Sequence, residues 1–184
     1  MIIGITGTLG AGKGTVAEYL TKKHNFVYFS VKNFIAQEVL KQDNMVNRDT
    51  LIVAANHMRA EHGSGYIVEQ LMSQALSVKN TNVVIESIRS VGEAQFLKSH
   101  GAKLWAVDAD IHARYARIVK RASDKDGVTF EKFGQQEEQE MHGTDPSTQN
   151  LAAVREMADV VMQNDGTQEA LYQQVEAALQ KAGV

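Results

Sequence analysis

The chain has no cysteine, which excludes disulfides, thiolate metal sites and a cysteine nucleophile. It has one proline, Pro146, and neither repeats nor low-complexity stretches, which argues against a second domain joined by a linker. No apolar run approaches the roughly 20 residues of a membrane-spanning helix. Charge of one sign is also scarce. The formal net charge is −3, so neither nucleic acid nor a membrane surface is an expected partner. The N-terminus enters an apolar segment with no charged leader, so no signal peptide is expected and the cytoplasm is the expected compartment. His57 and His62 lie off the helical i, i+4 spacing and no HExxH occurs, so no zinc site is expected. What remains is a chain of 184 residues, 43% of them apolar, enough for the core of one domain.

The strongest motif is Gly7-Thr8-Leu9-Gly10-Ala11-Gly12-Lys13-Gly14-Thr15. It follows the apolar run Ile2–Thr6 and precedes a helical pattern from Val16. A strand, a glycine-rich turn and a helix start are the context of a phosphate-binding P-loop. Backbone N–H groups of the turn and the helix N-terminus converge on an anion, and Lys13 adds a full positive charge. The nucleotide-binding candidates are therefore Gly7, Gly10, Ala11, Gly12, Lys13, Gly14, Thr15 and Val16. The hydroxyl that would meet Mg²⁺ stands at Thr15, one residue later than the general motif places it, because Gly14 follows the lysine.

Apolar runs with strand character recur at 26–29, 83–86, 104–108 and 160–162, with helical patterns between them. That alternation predicts a three-layer α/β/α fold around a five-stranded parallel sheet. Ligands of such sheets bind beyond the carboxyl ends of the strands. The chain reads as a single domain, 1–184. A helical insertion spans 31–80, and the region 114–142 contains the basic helix and the polar stretch after it. Within that stretch, Gln135 to Glu140 reads as a solvated helix.

Phosphoryl transfer needs positioning and positive charge on the transferring oxygens. Glu86, read as ending the third strand, is placed as a Walker B carboxylate organising Mg²⁺ with Thr15 through water. Arg89 follows three residues on, as a grip on an acceptor phosphate. From Ile111 a basic helix carries Arg114, Arg117 and Arg121 on one face. Arg117 and Arg121 are the favoured pair on that face. Arg59 is either a second acceptor arginine or a solvated helix charge, and Tyr66 either stacks on a base or packs.

The sequence GxGKGT resembles the P-loop of adenylate kinase and its nucleoside monophosphate kinase relatives. Glu86-Ser87-Ile88-Arg89-Ser90 resembles the strand-end DGFPR of adenylate kinases. It is more similar to the EGIRS stretch of a poorly characterised archaeal and bacterial group, often labelled dephospho-CoA-kinase-like. That group's similarity extends over most of the chain, including Asp108-Ala109-Asp110 and Asn164-Asp165-Gly166-Thr167. The resemblance implies ATP and Mg²⁺ as cofactors and acceptor-binding helices within 31–80. It also implies a lid region over 114–142, short at its loop 123–128, whose Arg117 and Arg121 close over the ATP phosphates, and an adenine-lining loop at Gly166. Asn33 stands in the acceptor region where relatives carry Asp, and Ala36 where adenylate kinase has its AMP-phosphate arginine. Both depart from ordinary AMP kinases.

The resulting expectation is an ATP-dependent phosphotransferase acting on a small-molecule nucleotide acceptor, most simply a (deoxy)nucleoside monophosphate. Dephospho-CoA kinase activity is the alternative within the class. A nucleotide-binding regulatory ATPase is the alternative outside it.

Overall fold

A computed structural model describes residues 1–78, 82–121 and 129–183. Five strands, β1 (Ile2–Thr6), β2 (Val27–Ser30), β3 (Val83–Ile88), β4 (Lys103–Asp108) and β5 (Val160–Gln163), form one sheet in the order β2-β3-β1-β4-β5. Every pairing is parallel. Each parallel neighbour needs a crossover, and helices supply it: α1 (Lys13–His24), α2 (Val31–Lys41), α3 (Arg48–His62), α4 (Tyr66–Ser77), α5 (Val91–Ser99), α6 (Ile111–Arg121), α7 (Phe130–Met141), α8 (Leu151–Glu156) and α9 (Gln168–Lys181). This is the expected three-layer α/β/α architecture.

Two apolar clusters cover the sheet faces. Alternating strand residues feed them: Leu104 joins one cluster, while Trp105 and Val107 join the other. The first cluster receives Val31, Ile35, Ile67 and Leu71 from α2 and α4. The second receives Val16 and Leu20 from α1 and Leu171 and Val175 from α9. Ile3, Ile5 and Leu20 are each 0% exposed. Burying each stabilises the fold by about 1.5–3 kcal/mol before entropy is counted.

Most boundaries agree with the sequence pattern to within two residues, and two differ in ways that matter. Strand β3 continues through Ile88, where Thr6 of β1 pairs with it. Glu86 therefore lies inside the strand, not at its end. Helical character over 147–157 is the pattern's reading, but α8 begins only at Leu151, because Asn150 is its N-cap and accepts the Ala153 N–H at 3.0 Å. The expected short lid at 123–128 lies outside the described residues. No helix among the described residues is long and apolar enough to cross a membrane.

Candidate nucleotide and acceptor site

The turn from β1 into α1 is held closely by its neighbours. Gly7 has φ 140°, and a Cβ there would sit 2.2 Å from the Val107 carbonyl oxygen of β4. Gly12, the N-cap of α1, has φ 109°, and a Cβ there would sit 2.2 Å from Asn164 Nδ2. Only glycine fits either backbone. Asn164 Nδ2 in turn donates to the Ala11 carbonyl at 2.7 Å, which ties the loop after β5 to the P-loop. No side chain caps the start of α1, so its first-turn N–H groups are suited to an anion.

Lys13 is buried, and its Nζ donates to the Thr8 carbonyl at 2.9 Å. Burial lowers its pKa to about 8; Arg89 and Arg121 push the same way, while Glu86 and Glu140 oppose them. A desolvated ammonium among arginines is electrostatically poised to accept phosphate oxygens. Thr8 Oγ1 is buried without a hydrogen-bond partner, alone in this among the described side-chain polar atoms. Val16 is less suited to a nucleotide-binding role than its position in the motif implied. Its side chain is wholly buried in the core and its N–H donates to the Gly12 carbonyl at 3.2 Å. Gly14 is exposed, with nothing within 4 Å of where a Cβ would be.

The arginines of α6 divide by partner. Arg117 donates to the Gly10 carbonyl at 3.3 Å and to the Asn164 carbonyl at 2.5 Å, bridging the P-loop and the loop containing Gly166. Arg121 is exposed at the helix end, close enough to Lys13 to bear on its charge. Arg114 is buried. It donates to the Ala109 carbonyl at 2.8 Å and pairs with Glu137 of α7. It works as a strut between elements.

A cavity of about 290 Å³ opens beside Leu9 of the P-loop. Val31 and Ile35 of α2 and Leu51 and Ile52 of α3 form its apolar wall; Lys32, Arg48, Arg59 and Arg89 bring positive charge. Arg89 Nη1 donates to Glu140 Oε2 at 2.7 Å and to Gln149 Oε1 at 2.8 Å. Arg48 Nη2 donates to Glu140 Oε1 at 2.6 Å. Two arginines hold Glu140 below the usual carboxylate range, although burial opposes this. Arg59 is not a solvated charge. Its side chain is 1% exposed and its Nη2 pairs with Glu93 Oε1 at 2.8 Å. Glu93 Oε2 also accepts the N–H groups of Arg89 and Ser90 at 2.9 and 3.1 Å, so one carboxylate positions both Arg59 and the backbone of Arg89.

Two candidates sit elsewhere. Tyr66 packs on His62, ring centroids 4.4 Å apart, and against the core, and does not line the cavity. Asn33 is exposed on the first turn of α2, and Lys32 beside it faces the cavity instead. The run 135–139 is exposed or half-buried, in keeping with a solvated helix, and Glu140 departs from it by being buried. Sequence reasoning missed Arg48, Glu140 and Gln149. None belongs to a motif, and Arg48 and Glu140, which pair, are 92 residues apart in the chain.

Glu86 and Thr15 are half-buried, and Tyr28 OH donates to Glu86 Oε2 at 3.2 Å. A carboxylate and a hydroxyl are oxygen donors of the kind Mg²⁺ takes, alongside waters and phosphate oxygens, so the residues fit that ion.

Residues 3–142 match a family described as an AAA domain. Two archaeal UPF0200 proteins are similar along nearly their whole length. That of Methanococcus vannielii is 27% identical over 98% of this chain and 95% of its own. That of Methanocaldococcus jannaschii is 26% identical over 98% of this chain and 90% of its own. Among solved structures, TT1252 from Thermus thermophilus superposes with a TM-score of 0.66 at 20% identity, covering 98% of this chain and 97% of that one. Shikimate kinase from Bacteroides thetaiotaomicron superposes with a TM-score of 0.63 at 14% identity, covering 100% and 99%. At these identities the structural likeness establishes the fold: that of P-loop kinases.

Proposed function

This chain belongs to the AAA domain family with a P-loop kinase-like fold, and from that premise we propose that it transfers the γ-phosphate of Mg-ATP to a nucleotide-type acceptor, a (deoxy)nucleoside monophosphate being the best match. The observation that carries this reading is the cavity beside Leu9, where an apolar wall faces the accessible guanidinium groups of Arg48 and Arg89. A base and sugar suit the wall, and a phosphate suits the guanidinium groups.

On this reading Lys13 and the first-turn amides of α1 hold the β- and γ-phosphates. Thr15 and Glu86 orient the hydrated metal. Arg117 and Arg121 neutralise charge on the nucleotide side, Arg89 on the acceptor side, and the loop at Gly166 borders the base. ATP supplies the phosphoryl group. An acceptor phosphate is already nucleophilic, whereas a hydroxyl acceptor benefits from a general base. The carboxylate in the cavity, Glu140, is committed to two arginines and held ionised, which makes it a poor base. That supports a phosphate acceptor over a hydroxyl one.

The test is ADP release measured across nucleoside monophosphates, deoxynucleoside monophosphates and dephospho-CoA. Stimulation by a monophosphate is the expected result. Stimulation by dephospho-CoA alone would move the assignment to hydroxyl phosphorylation. ADP release unaffected by every acceptor would leave a nucleotide-binding ATPase.

A further inference from the structure

The cavity already holds an anion belonging to the chain itself. Glu140, on the last turn of α7, has one carboxylate shared by two guanidinium groups from different elements. Oε1 accepts from Arg48 Nε at 3.1 Å and Nη2 at 2.6 Å, and Oε2 accepts from Arg89 Nη1 at 2.7 Å. All three residues line the cavity.

The neighbouring Arg59–Glu93 pair shows what a purely structural ion pair looks like in this protein. Its side chains are 1% and 0% exposed, and Glu93 is saturated further by backbone N–H groups. The Glu140 cluster differs. Arg48 and Arg89 keep 27% and 19% of their side-chain surface, so an incoming ligand can reach them. Each guanidinium has five N–H donors in a fixed fork, more than one shared carboxylate can satisfy.

We propose that Glu140 is a specificity-determining residue: its carboxylate is the resident counter-ion of Arg48 and Arg89, which a phosphate-bearing acceptor displaces and a carboxylate-bearing acceptor does not. This rests on the acceptor reading of the same cavity. A phosphate monoester dianion brings twice the charge of Glu140 and three terminal oxygens, enough to engage both forks. A carboxylate ligand brings only what Glu140 already supplies, and without the advantage of being tethered to the site. The cavity thereby favours acceptors with a terminal phosphate over acceptors whose only anion is a carboxylate.

The test fills the P-loop first with Mg²⁺ and a non-hydrolysable ATP analogue, so that added anions report on the cavity. Inorganic phosphate and acetate are then titrated calorimetrically into the wild type and Glu140→Gln. The expected result is phosphate binding to both proteins, about tenfold tighter in E140Q, with a smaller preference for phosphate over acetate in the variant. Equal or weaker phosphate binding by E140Q would overturn the proposal, making Glu140 a support for the arginines. If neither protein binds phosphate while the ATP analogue binds normally, the acceptor reading fails with it. A measurement on the unsubstituted protein guards against misfolding of the variant. On saturation with phosphate, the Glu140 side-chain carboxyl ¹³C resonance should shift to that of a solvated glutamate. An unmoved resonance with phosphate bound would equally sink the idea.

Discussion

Arg59 and Glu93 form a buried ion pair, Nη2 to Oε1 at 2.8 Å, that joins α3 to the first turn of α5 directly behind the cavity. Removing one partner strands the other charge in the core. Glu93→Gln should lower unfolding free energy by about 3–5 kcal/mol, read by urea denaturation. Arg59→Met combined with Glu93→Leu should recover much of that loss and still fail in acceptor-dependent turnover, separating stability from positioning.

Lys13 gives a pH signature. Its pKa is about 8 in the folded, ligand-free protein, against 10.5 for an unhindered lysine. Between those values the unfolded chain holds a proton that the native state lacks, so stability rises with pH through that window. Relative to Lys13→Met, the wild type should gain up to about 3 kcal/mol from pH 8 to 10.5, measured by chemical denaturation. Phosphate groups favour the charged form, so nucleotide binding above pH 8 should take up a proton. Calorimetry in buffers of different ionisation enthalpy reads this directly.

Gly12 and Gly14 should respond oppositely to alanine. Gly12→Ala meets Asn164 Nδ2 at 2.2 Å and requires φ 109°, so it should cost about 1–3 kcal/mol and weaken nucleotide binding. Gly14→Ala meets nothing within 4 Å at a helical position, and should add about 0.5–1 kcal/mol of stability. Thermal denaturation of the two variants side by side decides the matter.

Arg89 should separate the two substrates kinetically. Arg89→Lys keeps the charge and loses the planar guanidinium, whose Nη1 reaches both Glu140 and Gln149 and whose other N–H groups are left to take a ligand. The expected outcome is a rise in acceptor KM of about 10–100-fold, with ATP KM nearly unchanged. A matching rise in both constants would place Arg89 on the nucleotide side.

Thr8 offers a test in the ligand-free protein. Its hydroxyl is buried and unpartnered, so Thr8→Val removes a desolvated group without breaking a bond. Stability should hold or rise by about 1 kcal/mol in a thermal melt. A substantial loss would show that the hydroxyl has a partner.

The parts of the molecule written in local patterns were legible from the chain. Glycine spacing and Lys13 specify the P-loop because its geometry is made by consecutive residues. The five strands were legible because sheets buried on both faces need continuous apolar runs. The cavity beside Leu9 was only half legible. Arg89 was visible beside β3, but Arg48 carries no motif and sits just after Asn47, whose capping box accounts for that segment's polarity. Glu140 lay in a run of glutamines and glutamates whose ordinary meaning is a solvated surface. Burial of Arg59 needs Glu93, 34 residues away, and no periodicity encodes such a pairing.

Helix α7 is joined to the rest of the molecule by charge and by one small aromatic cluster, Phe130 and Phe133 against His112 and Tyr115 of α6. Of its twelve residues only Phe133 and Glu140 are buried, and its ties run from Gln136 and Glu140 to Arg48, Glu137 to Arg114, and Glu140 to Arg89. Detaching it exposes that cluster but neither of the two apolar clusters of the sheet, so its opening should carry a smaller heat-capacity change than global unfolding and lower protection against amide exchange. The sheet beneath, held by two apolar clusters, should exchange only through global unfolding. Added salt would widen that gap by screening the partly exposed ion pairs and leaving the core untouched. The protein would then have one native structure with two stabilities, and the weaker one belongs to the helix that lines the cavity with Glu140.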